Sequence, residues 1–86
     1  MLIEGKVIVI TGGAGLIGQQ FAKALINQGG IAVIADIDEE RMRSASKELS
    51  RTLPSDSFDT FKLDILSKDS LQKCIDYVNC KYKKID

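Results

Sequence analysis

The chain has 86 residues, 44% hydrophobic and 28% charged, with twelve lysines and arginines against twelve aspartates and glutamates, two cysteines and no histidine. That is apolar material for one small, marginally stable domain, and the balanced charge excludes an electrostatic pull toward nucleic acid or an anionic membrane. No apolar run approaches the roughly 18 residues that span a bilayer, and the N-terminus lacks the regions of a signal peptide, so a cytoplasmic protein with a small-molecule partner is expected.

The first predicted strand runs from about Lys6 to Thr11; Val7, Ile8, Val9 and Ile10 are all apolar, so both of its faces require cover, as in a central parallel strand. The glycine-rich segment Thr11 to Gly18 then leads into a helix predicted over Leu16 to Gln28. Ile17, Phe21, Ala24 and Leu25 form its expected inner face, and Gly29-Gly30 its left-handed stop. A second strand spans Ile31 to Asp36. Asp38 caps a second helix with Glu39 and Glu40 at its positive end; Met42, Ala45 and Leu49 point inward, Ser44, Ser46 and Ser50 outward, and the helix ends before Pro54.

Pro54 to Ser57 form a turn, and the alternation of Phe58, Thr60 and Lys62 with Asp59, Phe61 and Leu63 predicts a third strand. Ser67-Lys68-Asp69 begins a third helix with an expected buried stripe of Leu71, Cys74, Ile75, Val78 and Tyr82. Lys81, Lys83 and Lys84 complement its negative end, where a solvated terminus accounts for them better than a phosphate site. Cys74 and Cys80 fit neither a metal-binding pair nor a redox Cys-x-x-Cys, and both are expected to be packing residues.

Strictly alternating strands and helices predict an α/β fold: half of a doubly wound parallel sheet with strand order 3-2-1. That order leaves the most apolar strand at an open edge, so further chain is expected to pair there, with Lys84-Ile85-Asp86 as the approach to a fourth strand.

A glycine-rich turn between a buried strand and a helix is a site for a dinucleotide. The helix N-terminus presents unpaired N–H groups and a positive dipole end to a pyrophosphate. Gly12 permits the tight turn, Gly15 removes a side chain that would block the phosphates, and Gly18 allows close helix packing. Asp36, eighteen residues after Gly18, stands where a carboxylate accepts hydrogen bonds from the adenosine ribose hydroxyls. It would repel a 2'-phosphate, and neither Ile37, Asp38 nor Ala14 offers a basic group to offset this, so NAD is expected over NADP.

Thr11-Gly12-x-x-Gly15-x-x-Gly18, Ala35-Asp36 and Leu63-Asp64-Ile65 together resemble the N-terminal part of a short-chain dehydrogenase/reductase, across essentially the whole chain. The resemblance implies that Asp64 and Ile65 line the adenine pocket, although Asp64 is equally suited to capping its loop. The expected cofactor-binding set is Gly12, Gly15, Leu16, Ile17, Gly18, Asp36, Ile37, Asp64 and Ile65. Oxidoreductases of the family usually carry a glycine where this chain has Leu16, and Gly15 with Gly18 is similar to the nucleotide-sugar epimerase and dehydratase branch. Asp36-Ile37-Asp38 running into a regular helix is instead similar to the simple reductases; the glycine turn also resembles that of reductases from bacterial surface-sugar pathways.

The family's catalytic tyrosine, lysine and serine, and its Asn-Asn-Ala-Gly segment, are expected beyond Asp86. Residues 1–86 therefore read as a partial NAD-binding domain that does not itself catalyse. The parent would transfer hydride between nicotinamide and a carbonyl or alcohol, and the family implies a homo-oligomer. A sugar epimerase or dehydratase, a non-catalytic nucleotide-binding module and an incomplete gene product without function are the alternatives. Tyr77 and Lys81 match the Tyr-x-x-x-Lys spacing, but they fall on the third helix, which covers the sheet and does not stand at the strand ends where ligands bind. The lack of histidine leaves a serine or cysteine triad unsupported.

Overall fold

In the computed structural model, which describes residues 4–83, strands and helices alternate as β1 (Val7–Thr11), α1 (Leu16–Asn27), β2 (Ile31–Asp36), α2 (Glu39–Leu49), β3 (Phe58–Lys62) and α3 (Lys68–Tyr82). The strands are parallel in the order β1-β2-β3, the expected arrangement, with Val9 opposite Val33 and Ile34 opposite Thr60.

β2 is the central strand, and Ala32, Val33, Ile34 and Ala35 are fully buried because helices cover both of its faces. Ala32 and Ile34 pack with Ala22, Leu25 and Ile26 of α1 and Met42, Ala45 and Leu49 of α2. On the other face, Val33 and Ala35 pack with Val7, Leu63, and Cys74 and Val78 of α3. β1 departs from expectation: Val7 is buried, but Ile8, Val9 and Ile10 are only half-buried, since the strand lies at the sheet edge among the described residues. The anticipated approach to a fourth strand, Lys84 to Asp86, lies outside the described residues, as does Lys84 at the helix end.

Two helical faces also differ. α1 buries Ala22, Leu25 and Ile26, whereas Ile17 and Phe21 are 86% and 57% exposed and Ala24 faces solvent. The two stripes share Leu25, and the one spaced from Gly18 wins because that glycine brings the helix start against the turn backbone. On α3 only Cys74 and Val78 are buried; Tyr82 is half-buried, and Leu71 and Ile75 are exposed on the flank away from β3. Cys80 is likewise exposed, so only Cys74 is a packing cysteine, and burial pushes its thiol pKa up.

The helix ends follow the sequence signals. Asp38 accepts the Arg41 N–H and Ser67 the Ser70 N–H. α1 closes in a Schellman motif, with Gly29 at φ +88°, Gly29 N–H donating to Ile26 and Gly30 N–H to Leu25.

Tyr77 and Lys81 are held at the amino-terminal end of β3. The Tyr77 hydroxyl and the Lys81 ammonium donate to one oxygen of Asp59 at 2.6 and 2.7 Å, and Phe61 packs against Tyr77 with ring centroids 5.1 Å apart. Burial pushes the Asp59 carboxyl up, but hydrogen bonds from Lys81, Tyr77 and Thr60 outweigh it and hold the group below its ordinary value of 3.8. A carboxyl lowered by folding contributes stability that is complete above its unfolded pKa and is lost as pH falls through the folded one. Asp59→Asn is therefore expected to cost about 1 kcal/mol at neutral pH, since Lys81 is half-exposed and its charge is screened by solvent. Denaturant titrations at stepped pH should show the difference between variant and parent shrinking below pH 4; a constant difference would rule out an ionic clamp.

Candidate functional site

The carboxyl ends of the strands are joined by backbone. Gly12, at φ +66°, and Gly13 both donate their N–H groups to the Ala35 carbonyl, at 2.7 and 3.4 Å, tying the turn after β1 to the end of β2. A Cβ on Gly13 would lie 2.7 Å from the Ile10 carbonyl oxygen, and one on Gly18 would lie 2.5 Å from both Cα and O of Gly13. Gly13 thus matters to the turn as much as the glycines singled out by spacing, and the adjacent Gly12-Gly13 pair is the signal that could have shown it. Gly15, the α1 N-cap, is different: a Cβ there would meet only the Gly12 oxygen, at 3.7 Å.

The start of α1 is unlike the other helix starts. It has no side-chain cap and no acidic residue in its first turn, whereas α2 begins with Asp38, Glu39 and Glu40 and α3 with Ser67 and Asp69. Its first amides and dipole are thus left available to an anion. The Gln19 amide donates to the Ala14 carbonyl at 2.9 Å and fixes the turn from the helix side.

Asp36, the last residue of β2, is buried. Its Oδ1 accepts the Asp38 N–H at 3.1 Å, and the Arg41 Nη2 donates to Oδ1 and Oδ2 at 3.1 and 3.2 Å. Burial pushes the carboxyl pKa up, but the Asp38 amide, the Arg41 hydrogen bonds and charge, and the Ala14 amide together hold it below its ordinary value. The carboxylate is therefore ionised at neutral pH. Ile37, Asp38 and Ala14 offer no basic group, as read from the sequence, but Arg41 does: it follows Asp36 by five residues, and the first turn of α2 carries it back over the strand end. Its spacing of three from the cap Asp38 was the available clue.

A crevice of about 320 Å³ opens at this end of the sheet, lined by Gly12, Ala35, Asp36, Ile37, Leu63, Asp64, Ile65 and Leu66. The structure thus gathers Gly12, Asp36, Ile37, Asp64 and Ile65 around one cavity and adds Ala35, Leu63 and Leu66. Gly15 and Leu16 line the adjoining groove with Ala14 and Arg41, while Ile17 and Gly18 line neither. Asp64 also serves its loop: Oδ1 accepts the Leu66 N–H at 3.0 Å and its own N–H donates to Ser70 Oγ at 2.9 Å. Mainly apolar walls, an ionised carboxylate at the rim and an uncapped helix start suit a flat heterocycle bearing hydroxyls and an anionic group. No group of histidine, cysteine or acidic residues able to hold a metal, and no helix long and apolar enough to cross a membrane, occurs among the described residues.

The model of the family described as short chain dehydrogenase matches residues 6–86. Among curated proteins, the post-translational flagellin modification protein A of Campylobacter coli is 36% identical over 85 residues, covering 99% of this chain and 33% of that protein. Among solved structures, a protein assigned as a short-chain dehydrogenase from Novosphingobium aromaticivorans superposes with a TM-score of 0.91 at 25% identity, covering 96% of this chain and 30% of that one. A 3-ketoacyl-(acyl-carrier-protein) reductase from Brucella melitensis, solved in complex with NADH, gives 0.84 at 26% identity, covering 98% and 32%. The chain spans about a third of the length of these proteins.

The contrast between the two helix-start glycines is testable. Gly18→Ala drives a Cβ into backbone and is expected to destabilise the chain by about 2 kcal/mol or more. Gly15→Ala should change stability by less than about 1 kcal/mol, because the added methyl makes only an ordinary van der Waals contact, with the Gly12 oxygen at 3.7 Å. Urea unfolding of both variants checks this, and equal losses would refute the division of labour.

Proposed function

The chain belongs to the short chain dehydrogenase family of Rossmann-fold oxidoreductases, and from that membership we propose that residues 1–86 form the adenine-nucleotide part of an NAD-binding domain. The observation that carries this reading is the pairing of a buried, ionised Asp36 with an uncapped α1 start across one turn.

In this reading the amides at the start of α1, in the Gly15 to Gly18 segment with Leu16 and Ile17, receive the pyrophosphate, and the missing Cβ of Gly15 leaves it room. Gly12 provides the turn that sets their direction. Asp36 accepts hydrogen bonds from the adenosine ribose hydroxyls and disfavours a 2'-phosphate, while Ile37, Asp64 and Ile65 line the adenine crevice. The NADH complex of the Brucella melitensis reductase supports a nicotinamide dinucleotide as the ligand. A bound nicotinamide dinucleotide supplies the hydride donor or acceptor for a carbonyl or alcohol substrate.

Tyr77 and Lys81 take no part in that chemistry. Asp59 holds them at the amino-terminal end of β3, and its hydrogen bond, burial and charge push the Tyr77 pKa up, away from what a general base needs. We therefore place hydride transfer in a full-length parent, whose remaining length carries the substrate and the catalytic groups.

Titration of the isotope-labelled chain, followed at the Gly12, Gly15 and Gly18 amides, is expected to show tighter binding of NADH than of NADPH. Asp36→Ala should weaken NADH by about tenfold, the effect of losing charge-assisted hydrogen bonds, and so narrow the gap. Equal or stronger NADPH binding by the unaltered chain would overturn the NAD assignment.

A further inference from the structure

We propose that Arg41 is the residue that sets how strongly Asp36 discriminates between cofactors: it pairs with the carboxylate while no cofactor is bound, gives way to the ribose hydroxyls, and turns to a 2'-phosphate when one is present. The inference rests on the reading of Asp36 as the ribose-binding group.

Asp36 is the one buried charged residue among the described residues, with 2% of its side chain exposed. A charge so placed needs a partner, and Arg41 supplies it from a position that is itself 55% exposed. The Asp38 and Arg41 bonds to Asp36 differ in permanence. The Asp38 N–H is fixed in the backbone, while Arg41 is a long, half-solvated side chain anchored only at its α2 end.

A carboxylate offers about four lone-pair sites. Asp38 and Arg41 already use three, two on Oδ1 and one on Oδ2, and the Ala14 amide also bears on the carboxylate, so two ribose hydroxyls cannot both be accepted unless Arg41 gives way. The groove that Arg41 lines is shared with Ala14, Gly15 and Leu16, so a guanidinium leaving Asp36 stays beside the glycine turn. The Asp38 carboxylate is 3.9 Å from Nε and half-exposed, a weak competitor for a phosphate. Glu40, exposed in the same groove, moderates the field but makes no contact with Asp36 among the described interactions. Arg41 thus lessens the penalty that Asp36 imposes on a 2'-phosphate, and loss of Asp36 releases it to bind one.

The test compares NADH and NADPH affinities at one ionic strength for the parent chain, Arg41→Ala, Asp36→Ala and the double variant, with Arg43→Ala as a control for charge on the same helix. Arg43 faces a separate groove with Met42 and Lys47. Arg41→Ala should weaken NADPH by about tenfold while moving NADH less than about threefold. Asp36→Ala should favour NADPH outright, the double variant should abolish that gain, and Arg43→Ala should leave the ratio unchanged. Should Asp36→Ala fail to fold by circular dichroism, Asp36→Asn takes its place and keeps an acceptor for the Asp38 amide. If Arg41→Ala moves the ratio no more than Arg43→Ala, or if the double variant keeps the NADPH gain, the role of Arg41 is overturned while the ribose assignment stands. If Asp36→Ala leaves NADH affinity unchanged, the ribose assignment itself falls, and the Arg41 inference with it.

Discussion

The contact on which the carboxyl end of the sheet depends is backbone against backbone: α1 starts so close to the turn that Gly18 sits where any Cβ would strike Gly13. That approach selects which face of α1 meets the sheet, and it brings the uncapped first turn beside the ends of β1 and β2. The Ala35 carbonyl, accepting from Gly12 and Gly13, locks the turn to the strand that ends in Asp36. A single packing constraint thus places the positive helix end and the buried carboxylate on the same rim.

Electrostatics divides the three helix starts into two uses. α2 and α3 satisfy their own amides with Asp38 and Ser67, as helices do when their ends are purely structural. α1 leaves its first turn without such a cap. Asp36 adds the complementary charge, ionised despite burial because the Asp38 amide and Arg41 hold it. An uncapped helix start next to a fixed carboxylate suits a ligand with phosphate at one end of the contact and hydroxyls at the other.

Much of this was legible in the sequence because it depends on local rules. Alternating strands and helices, the Gly29-Gly30 stop, the Asp38 cap and the placement of Asp36 at a strand end each follow from a few neighbouring residues. Arg41 was missed because its role depends on the helical turn that folds residue 41 back over residue 36, a relation absent from a search of the residues next to Asp36. Gly13 was missed for a related reason: what it avoids is a carbonyl three residues earlier, not a ligand. The Tyr77–Lys81 spacing shows the converse. Local spacing was satisfied, but α3 returns to the amino-terminal end of the sheet, where Asp59 holds both groups away from the crevice.

The misread helical faces have one location in common. α2 buries Met42, Ala45 and Leu49 as its periodicity requires. α1 turns Gln19 toward the groove shared with Arg41 and Ser44 of α2, so Ile17, Phe21 and Ala24 fall on its opposite flank. α3 turns Tyr77 and Lys81 toward Asp59 of β3, so Leu71 and Ile75 fall on the flank away from β3. Both flanks point to the β1 side of the sheet, where Ile8, Val9 and Ile10 are themselves only half-covered. The periodicity was therefore sound, but it records more burial than three strands provide. The apolar surplus borders β1, the edge strand of the sheet among the described residues.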